Sequence, residues 1–485
     1  VSFGTAFSSA LSGLTAASKA SELVSSNIAN ATTPGYGRRA LMLAAQSTGT
    51  NGQGVKIVSI NRAEDRPLLS DRRLAQSAQG DAQTRLGFLT RLQTLMGTPD
   101  QAGSLNGRAA AFGSALTEAI SHPESDARLG AVASTAKALA SGLAAIGTDI
   151  QTARTRADEQ IASQVQQLNS ALARASKLNA QIQTGLGAGQ DTSSLQDQRQ
   201  QIIDQIAQIV PLREVAQNDG MISLYTTGGA VLLDLRPSVF GFTPTTAISA
   251  QMTLQSGGLS GLSLNGIATP TAEGGSFLLG GTLAANFALR DDLAVSAQAQ
   301  IDAVARDLVE RFQSSSVDST RAAGDAGLFT DAGNRFSAAN EVGLAQRLTL
   351  NRRVDLGQGG ALWRLRDGLG ATTPGPPGAS ALLATLNAAL TGSRQTVSGA
   401  FSPGQRSFLV LTGDLLSTTA AKTIAAQGEA TFASARLETF TSQEAQAGVD
   451  TDFEMQSLLQ VEQSYTANAK VLKAVGDMMQ TLLDM

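Results

Sequence analysis

The chain has 485 residues, 42% of them hydrophobic but only 4% aromatic, and a formal charge of −4 from 36 Lys and Arg against 40 Asp and Glu. Such a length suggests two to four domains with cores of Leu, Ile, Val and Ala. It contains no cysteine and one histidine, His122. That excludes disulfides, thiolate chemistry and multi-histidine metal sites within one chain. No clustered basic face marks a nucleic-acid footprint. The absence of a run of ~18 apolar residues argues against membrane insertion.

In chain order, Phe3, Phe7, Ala10, Leu14, Ala17, Ser21, Val24 and Ile28 step 4-3-4-3-4-3-4, the seam of a heptad helix with one polar break. Asn27 and Asn30 are placed to satisfy backbone groups at its end. Pro34-Gly35 then suits the centre of a type II turn, followed by Tyr36. Residues 39–46 and 54–61 read as a β-hairpin around a Gly- and Thr-rich turn. Helix is expected from Asp65 to about Leu95, then from 105 to 153 with a break at His122-Pro123. The His-Pro step reads as a surface helix end. Beyond Arg156 a further long helix carries a heptad stripe from Ile161 to Leu186. A Gly-rich connector turns the chain into a helix ending before Pro211.

Residues 212–280 lose charge and gain Gly and Thr, and read as β-rich. Leu283–Gln313 returns to helix. Residues 318–405 are irregular, with a loop at 374–378. Helix resumes near Leu415. Leu458, Val461, Tyr465, Asn468, Leu472, Val475, Met479 and Leu482 then step 3-4-3-4-3-4-3, a second terminal heptad seam.

The expected architecture is mainly α: long terminal coiled-coil helices plus a helical bundle with a small β-rich insertion. Its divisions are 1–62 (N-terminal helix and hairpin), 63–211 (bundle), 212–280 (β-rich) and 281–340 (bundle). There follow 341–405 (variable, irregular, reduced outer region), 406–447 (bundle) and 448–485 (C-terminal helix). The candidate interface residues are Phe3, Phe7, Leu14, Val24, Ile28, Leu458, Val461, Tyr465, Leu472, Val475, Met479 and Leu482. The terminal seams bury little area at Ala10, Ala17, Ser21 and Asn468, so covering by neighbouring subunits is expected to complete them.

Chemical motifs fail on inspection. Asp450, Asp452 and Glu454 lie at alternate positions, but Met455 and Val461 stand where a calcium loop needs Gly and Glu. These acids read as helix caps. Asp291-Asp292 reads likewise, and Gly185, Gly187 and Gly189 read as a helix connector. No cofactor motif, catalytic set or metal-ligand spacing emerges, so no enzymatic activity is expected.

The stretch from Leu11 through NIANATTPGY to Gly37 resembles the N-terminal signature of flagellar rod, hook and hook-associated proteins. Residues 448–485 resemble their C-terminal signature. In the interior, ISHPESDARL at 120–129, Leu178-Asn179, Leu195 to Arg199, Asn218-Asp219-Gly220 and Gly280 to Asp291 resemble the hook–filament junction family. Two departures are Gln200 where that family usually has Asp, and the missing Asn-x-x-His-x-x-Gly after 313. The resemblance implies a secreted structural protein of the extracellular flagellum, exported by the type III route and assembling with itself. Its implied partners are the hook protein, a second hook-associated protein and an export chaperone. A hook or distal-rod protein, or a soluble coiled-coil scaffold, is the alternative.

Overall fold

The structure, a computed structural model, describes residues 3–33, 35–48, 51–272, 277–278 and 280–484. It is mainly α, with long helices at both ends. Helix α1 (Phe3–Ala29) leads to an antiparallel hairpin of β1 (Arg39–Thr48) and β2 (Asn51–Arg62), longer at its tip than the sequence suggested. Helix α2 (Arg66–Met96) begins where Asp65 accepts the Leu68 amide at 3.0 Å and stops at Gly97, whose φ of 72° a side chain would strain. Helix α3 (Leu105–Ser121) ends at His122, exposed and 3.2 Å from Glu124, before Pro123.

Helix α4 (Asp126–Gly187) runs 62 residues without a break, about 93 Å at 1.5 Å per residue. The sequence suggested a division near residues 153–156. The polar run there looks like a surface, yet Arg154 and Asp158 are buried. One window of α4 is also apolar enough by composition to cross a membrane, which the sequence reading missed. Its Ala- and Leu-rich face from Leu129 to Ala157 is packed in the protein core.

After α5 (Ser193–Ile209) come β3 (Leu212–Ala216), β4 (Ile222–Thr226) and β5 (Val231–Leu233), one antiparallel sheet. A second sheet joins β6 (Phe240–Gly241), β7 (Leu262–Leu264) and β8 (Ile267–Thr269). Helix α6 (Gly281–Ala288) continues through a π turn at Leu289–Leu293 into α7 (Ala294–Gln313). Then follow β9 (Phe329–Asp331), α8 (Leu344–Arg347), β10 (Leu348–Leu350), α9 (Arg364–Asp367) and α10 (Ala381–Thr391). The short pair β11 (Arg394–Gln395) and β12 (Gln405–Arg406) precedes α11 (Phe408–Gln446) and α12 (Thr451–Leu483).

Two cores form around α4. The larger takes Leu129–Ala157 of α4 with side chains of α2, α3, α7, α10 and α11. Phe112, Phe312 and Phe329 cluster within it, ring centroids 5.3–5.9 Å apart. The smaller takes Ile161–Ala175 with α5, the β-rich insertion and α6. The segment 341–405, expected as an irregular outer region, carries short helices and strands whose leucines pack inward. Leu344, Leu348, Leu350, Val354, Leu365, Leu383, Leu386 and Leu390 all lie in the larger core.

Where the two cores meet, the packing is polar. Arg154 donates to the carbonyls of Arg290, Ser249 and Met252 at 2.9, 3.1 and 2.6 Å. Asp158 accepts from Arg290 and from the Thr245 amide, both at 2.6 Å. The π turn adds a residue to its helix, and both Leu289 and Arg290 are buried there. Asp291 therefore grips Arg290 through two 2.8 Å bonds in mid-helix and caps nothing, contrary to the sequence expectation.

Asp302 shows what burial of a lone carboxylate does. It accepts the amides of Gly343 and Ala345 at 2.7 and 2.8 Å, fastening α8 to α7. Burial outweighs these bonds and pushes its pKa from 3.8 up to about 6. A raised folded-state value means the native state binds the proton more tightly. The contribution to stability is present in full below about pH 4 and is lost as pH rises through 6. We predict that Asp302→Asn flattens this limb. Denaturant titrations at pH 4 and pH 7 should differ by about 2–3 kcal/mol less in the variant than in the parent. Equal differences would contradict the assignment.

Candidate assembly interface and the clasp at its base

Helices α1 and α12 pack antiparallel, as the two heptad stripes require: Asn27 meets Glu454 and Gly13 faces Asn468. A Cβ on Gly13 would stand 2.7 Å from the Asn468 side chain, so the helices approach closely there. The hairpin lies along a second face of α1. Ser12 Oγ accepts the Val55 amide at 3.1 Å, and a Cβ on Gly54 would meet the Ser9 Cα at 2.9 Å. Ala16, Leu23 and Asn27, outside the predicted heptad stripe, are consequently buried. We call the unit of α1, the hairpin and α12 the arm.

The candidate interface residues divide along the arm. Val24 and Val475 are buried, and Leu14, Ile28, Leu458, Val461 and Leu472 are half-buried. Phe3, Phe7, Tyr465, Met479 and Leu482 are 41–58% exposed. They are joined by exposed Leu11, Leu459, Val471, Met478 and Leu483. The single chain leaves a long apolar surface uncovered, concentrated towards the tip where both termini lie.

The base of the arm is polar. Asn27, fully buried, uses both ends of its amide. Its Nδ2 donates to the Arg39 carbonyl and to Glu454 Oε2 at 2.9 and 3.1 Å. Its Oδ1 accepts the Arg39 amide and the Tyr36 hydroxyl at 3.0 and 2.9 Å. Asn30 closes the helix end locally, donating to the Ser26 carbonyl at 2.9 Å. Gly35 has φ of 77° and packs on Gln201 of α5. Pro34, also expected in this turn, lies outside the described residues.

Two carboxylates from distant parts of the chain complete the cluster. Glu454, 1% exposed, accepts Arg38 Nε at 2.6 Å. Arg38 also lies over the Phe453 ring, 4.8 Å from its centroid. Asp197 of α5 accepts the Gly37 amide at 3.1 Å, Arg62 Nε at 2.7 Å and Arg39 Nη2 at 3.0 Å. Arg62 also reaches Glu64 and the Gly35 carbonyl. Alongside, Arg72 and Arg73 of α2 share Asp204, both at 2.7 Å. Arg73 reaches Gln200 and Glu214, and Arg72 reaches Glu444. Burial raises the Glu444 pKa although Arg72 opposes it.

Of the three acids read as helix caps, Asp450 caps α12, accepting the Asp452 and Phe453 amides at 2.9 and 3.1 Å. Glu454 turns inward instead, towards Arg38 and Asn27. Arg38, Arg39, Arg62, Asp197 and Glu454 were missed as site residues. The available signal was a surplus of arginine just after the turn facing single acids far away in sequence. Which acid meets which arginine is decided by tertiary packing.

Three family models match this geometry's parts. The flagellar hook-associated protein FlgK helical domain matches residues 89–329. The flagellar basal body rod FlgEFG protein C-terminal model matches 445–485, and the flagella basal body rod protein model matches 7–36. The chain belongs to the flagellar hook-associated protein FlgK family.

The flagellar hook-associated protein 1 of Salmonella typhimurium is 30% identical over 231 residues, 46% of this chain and 41% of that one. Its counterpart in Bacillus subtilis is 25% identical over 234 residues, 46% of each chain. The chain thus spans under half the length of the curated relatives it matches. The solved flagellar hook junction protein FlgK from Burkholderia pseudomallei is 21% identical, with a TM-score of 0.43 over 54% of this chain and 46% of that one.

The two end matches, α1 with its turn and α12, meet in one clasp through Asn27, Arg38 and Glu454. An unpaired buried ion costs about 3–5 kcal/mol, and an unsatisfied buried polar group about 1–3 kcal/mol. We predict that Asn27→Ala, which strips partners from Glu454, Tyr36 and Arg39 at once, lowers the local opening free energy of the arm by about 3 kcal/mol. Hydrogen exchange at the Arg39 to Leu41 amides is the readout. Exchange unchanged from the parent would remove Asn27 from this role.

Proposed function

We propose that the chain is a structural, self-assembling axial component of the bacterial flagellum, seated at the junction between hook and filament, with no catalytic role. The observation that carries this is the apolar surface of the arm: a paired helix seam with large apolar side chains left bare along its length and most densely at its tip. Burial of apolar area is worth ~25 cal/mol per Å², so side chains such as Phe3, Phe7, Tyr465, Met479 and Leu482 favour a state in which neighbours cover them. Packed side by side, arms of identical chains would do so and form a tube wall, with the bundle outside. Family membership supports the flagellar setting, and the interior match favours the junction over a rod or hook protein, whose models match only the two ends.

Under this reading the partners are further copies of the chain, the hook protein on one side and a second hook-associated protein on the other. Passage to that extracellular site would follow the flagellar export route with an export chaperone. Leu472 lies half-buried on the seam, in the tip half of the arm. Leu472→Asp is expected to leave the bundle's thermal unfolding unchanged while abolishing incorporation into flagella and motility. Normal incorporation of that variant would overturn the reading.

A further inference from the structure

The arm is joined to the rest of the chain by two short segments, 63–65 and 447–450, both at its base. Among the described residues, helices and strands of the arm barely pack on those of the bundle, and the main such contact, β2 against α5, is small. Neither α1 nor α12 lies along a bundle helix. The arm's direction therefore depends on polar contacts at one end, and these fall into two groups with different addresses.

The first group is internal to the arm: Glu454 of α12, Arg38 before β1, and Asn27 of α1. The second crosses to the bundle: Asp197 of α5 holds the Gly37 amide, Arg39 and Arg62. We propose that Asp197 is the catch of a latch that sets the direction of the arm. Opening it releases the arm to swing about residues 63–65 and 447–450 without separating α1 from α12.

Three observations support a catch in preference to a permanent weld. Asp197 meets only backbone and side chains of the turn and hairpin, none of α12. Arg39 meets Asp197 through Nη2, and its Nε is buried without a hydrogen-bond partner among the described residues. Gly35 and Gly37 line the same contact: a Cβ on Gly35 would press on Gln201 of α5, one on Gly37 on Arg62 of the hairpin, and the Gly37 amide reaches Asp197 directly. This inference concerns the single chain and stands apart from the flagellar assignment.

The test is a double dissociation in the full chain. The sequence contains no cysteine, so Ser18→Cys on α1 and Ser170→Cys on α4, both exposed, take spin labels selectively. Double electron–electron resonance reads the arm-to-bundle distance, and hydrogen exchange reads the α1–α12 pairing. Asp197→Asn is expected to broaden the distance distribution at least twofold with exchange in α1 and α12 unchanged. Glu454→Gln is expected to do the reverse, speeding exchange in the first turns of α12 about tenfold while the distance distribution stays narrow. An unchanged distribution in Asp197→Asn overturns the latch. So does broadening accompanied by loss of protection in α1 and α12, because Asp197 would then be part of the arm's own fold.

Discussion

Three arginines at the base of one hairpin, Arg38, Arg39 and Arg62, must find carboxylates once the turn after α1 is buried, and the partners come from opposite directions. Glu454 arrives from the C-terminal helix and Asp197 from the bundle. Ion pairs out of water gain stability only when their remaining hydrogen-bonding capacity is met, and breaking one side is costly. The cluster therefore does more than hold two ends together. It admits one register of α1 against α12, the one that sets Asn27 opposite Glu454, and one seat of the turn on α5. A shift of the helices by a turn would strand Glu454 in apolar packing.

Away from that cluster, the arm relies on weak adhesion. Its seam includes Ala10, Ala17, Ser21 and Asn468, small or polar side chains that allow close approach but remove little apolar area from water. The polar cluster supplies specificity at the base while the tip remains open to further cover. This division suits a part that must find the right intramolecular partner first and exchange solvent for neighbours later. In the bundle, by contrast, α4 threads two closed cores, and the polar crossing between them at Arg154, Asp158 and Arg290 draws on backbone carbonyls and amides.

Much of this was legible in the chain because helix periodicity and turn chemistry are local. The two terminal stripes, the end of α3 at His122-Pro123, the hairpin and the change of character after Pro211 all follow from residues within one or two turns of each other. Reading failed where burial is decided at long range. The expected division near residues 153–156 did not foresee the burial of Arg154 and Asp158, since nothing near them in sequence reveals the carbonyls of residues 249 and 252 or the π turn at Arg290. The leucines of 344–390 looked peripheral because they sit in short helices and strands, each too brief to show a period. Glu454 was mistaken for a cap because Asp450, four residues earlier, really is one.

At Gln200 the resemblance led to an expected acid, and the surroundings show why an amide serves there. Gln200 is buried between Arg73 and Glu214, and it accepts from the first and donates to the second. An aspartate there would face Glu214 and Asp204 with Arg73 already shared between them, placing three carboxylates around one guanidinium. An amide supplies one acceptor and one donor to a site that already holds enough negative charge, and it avoids the desolvation cost of a further ion. The same logic sets Asn27 at the arm's base: with Glu454 on one side and backbone carbonyl and amide on the other, only a side chain carrying both a donor and an acceptor meets every partner without adding charge.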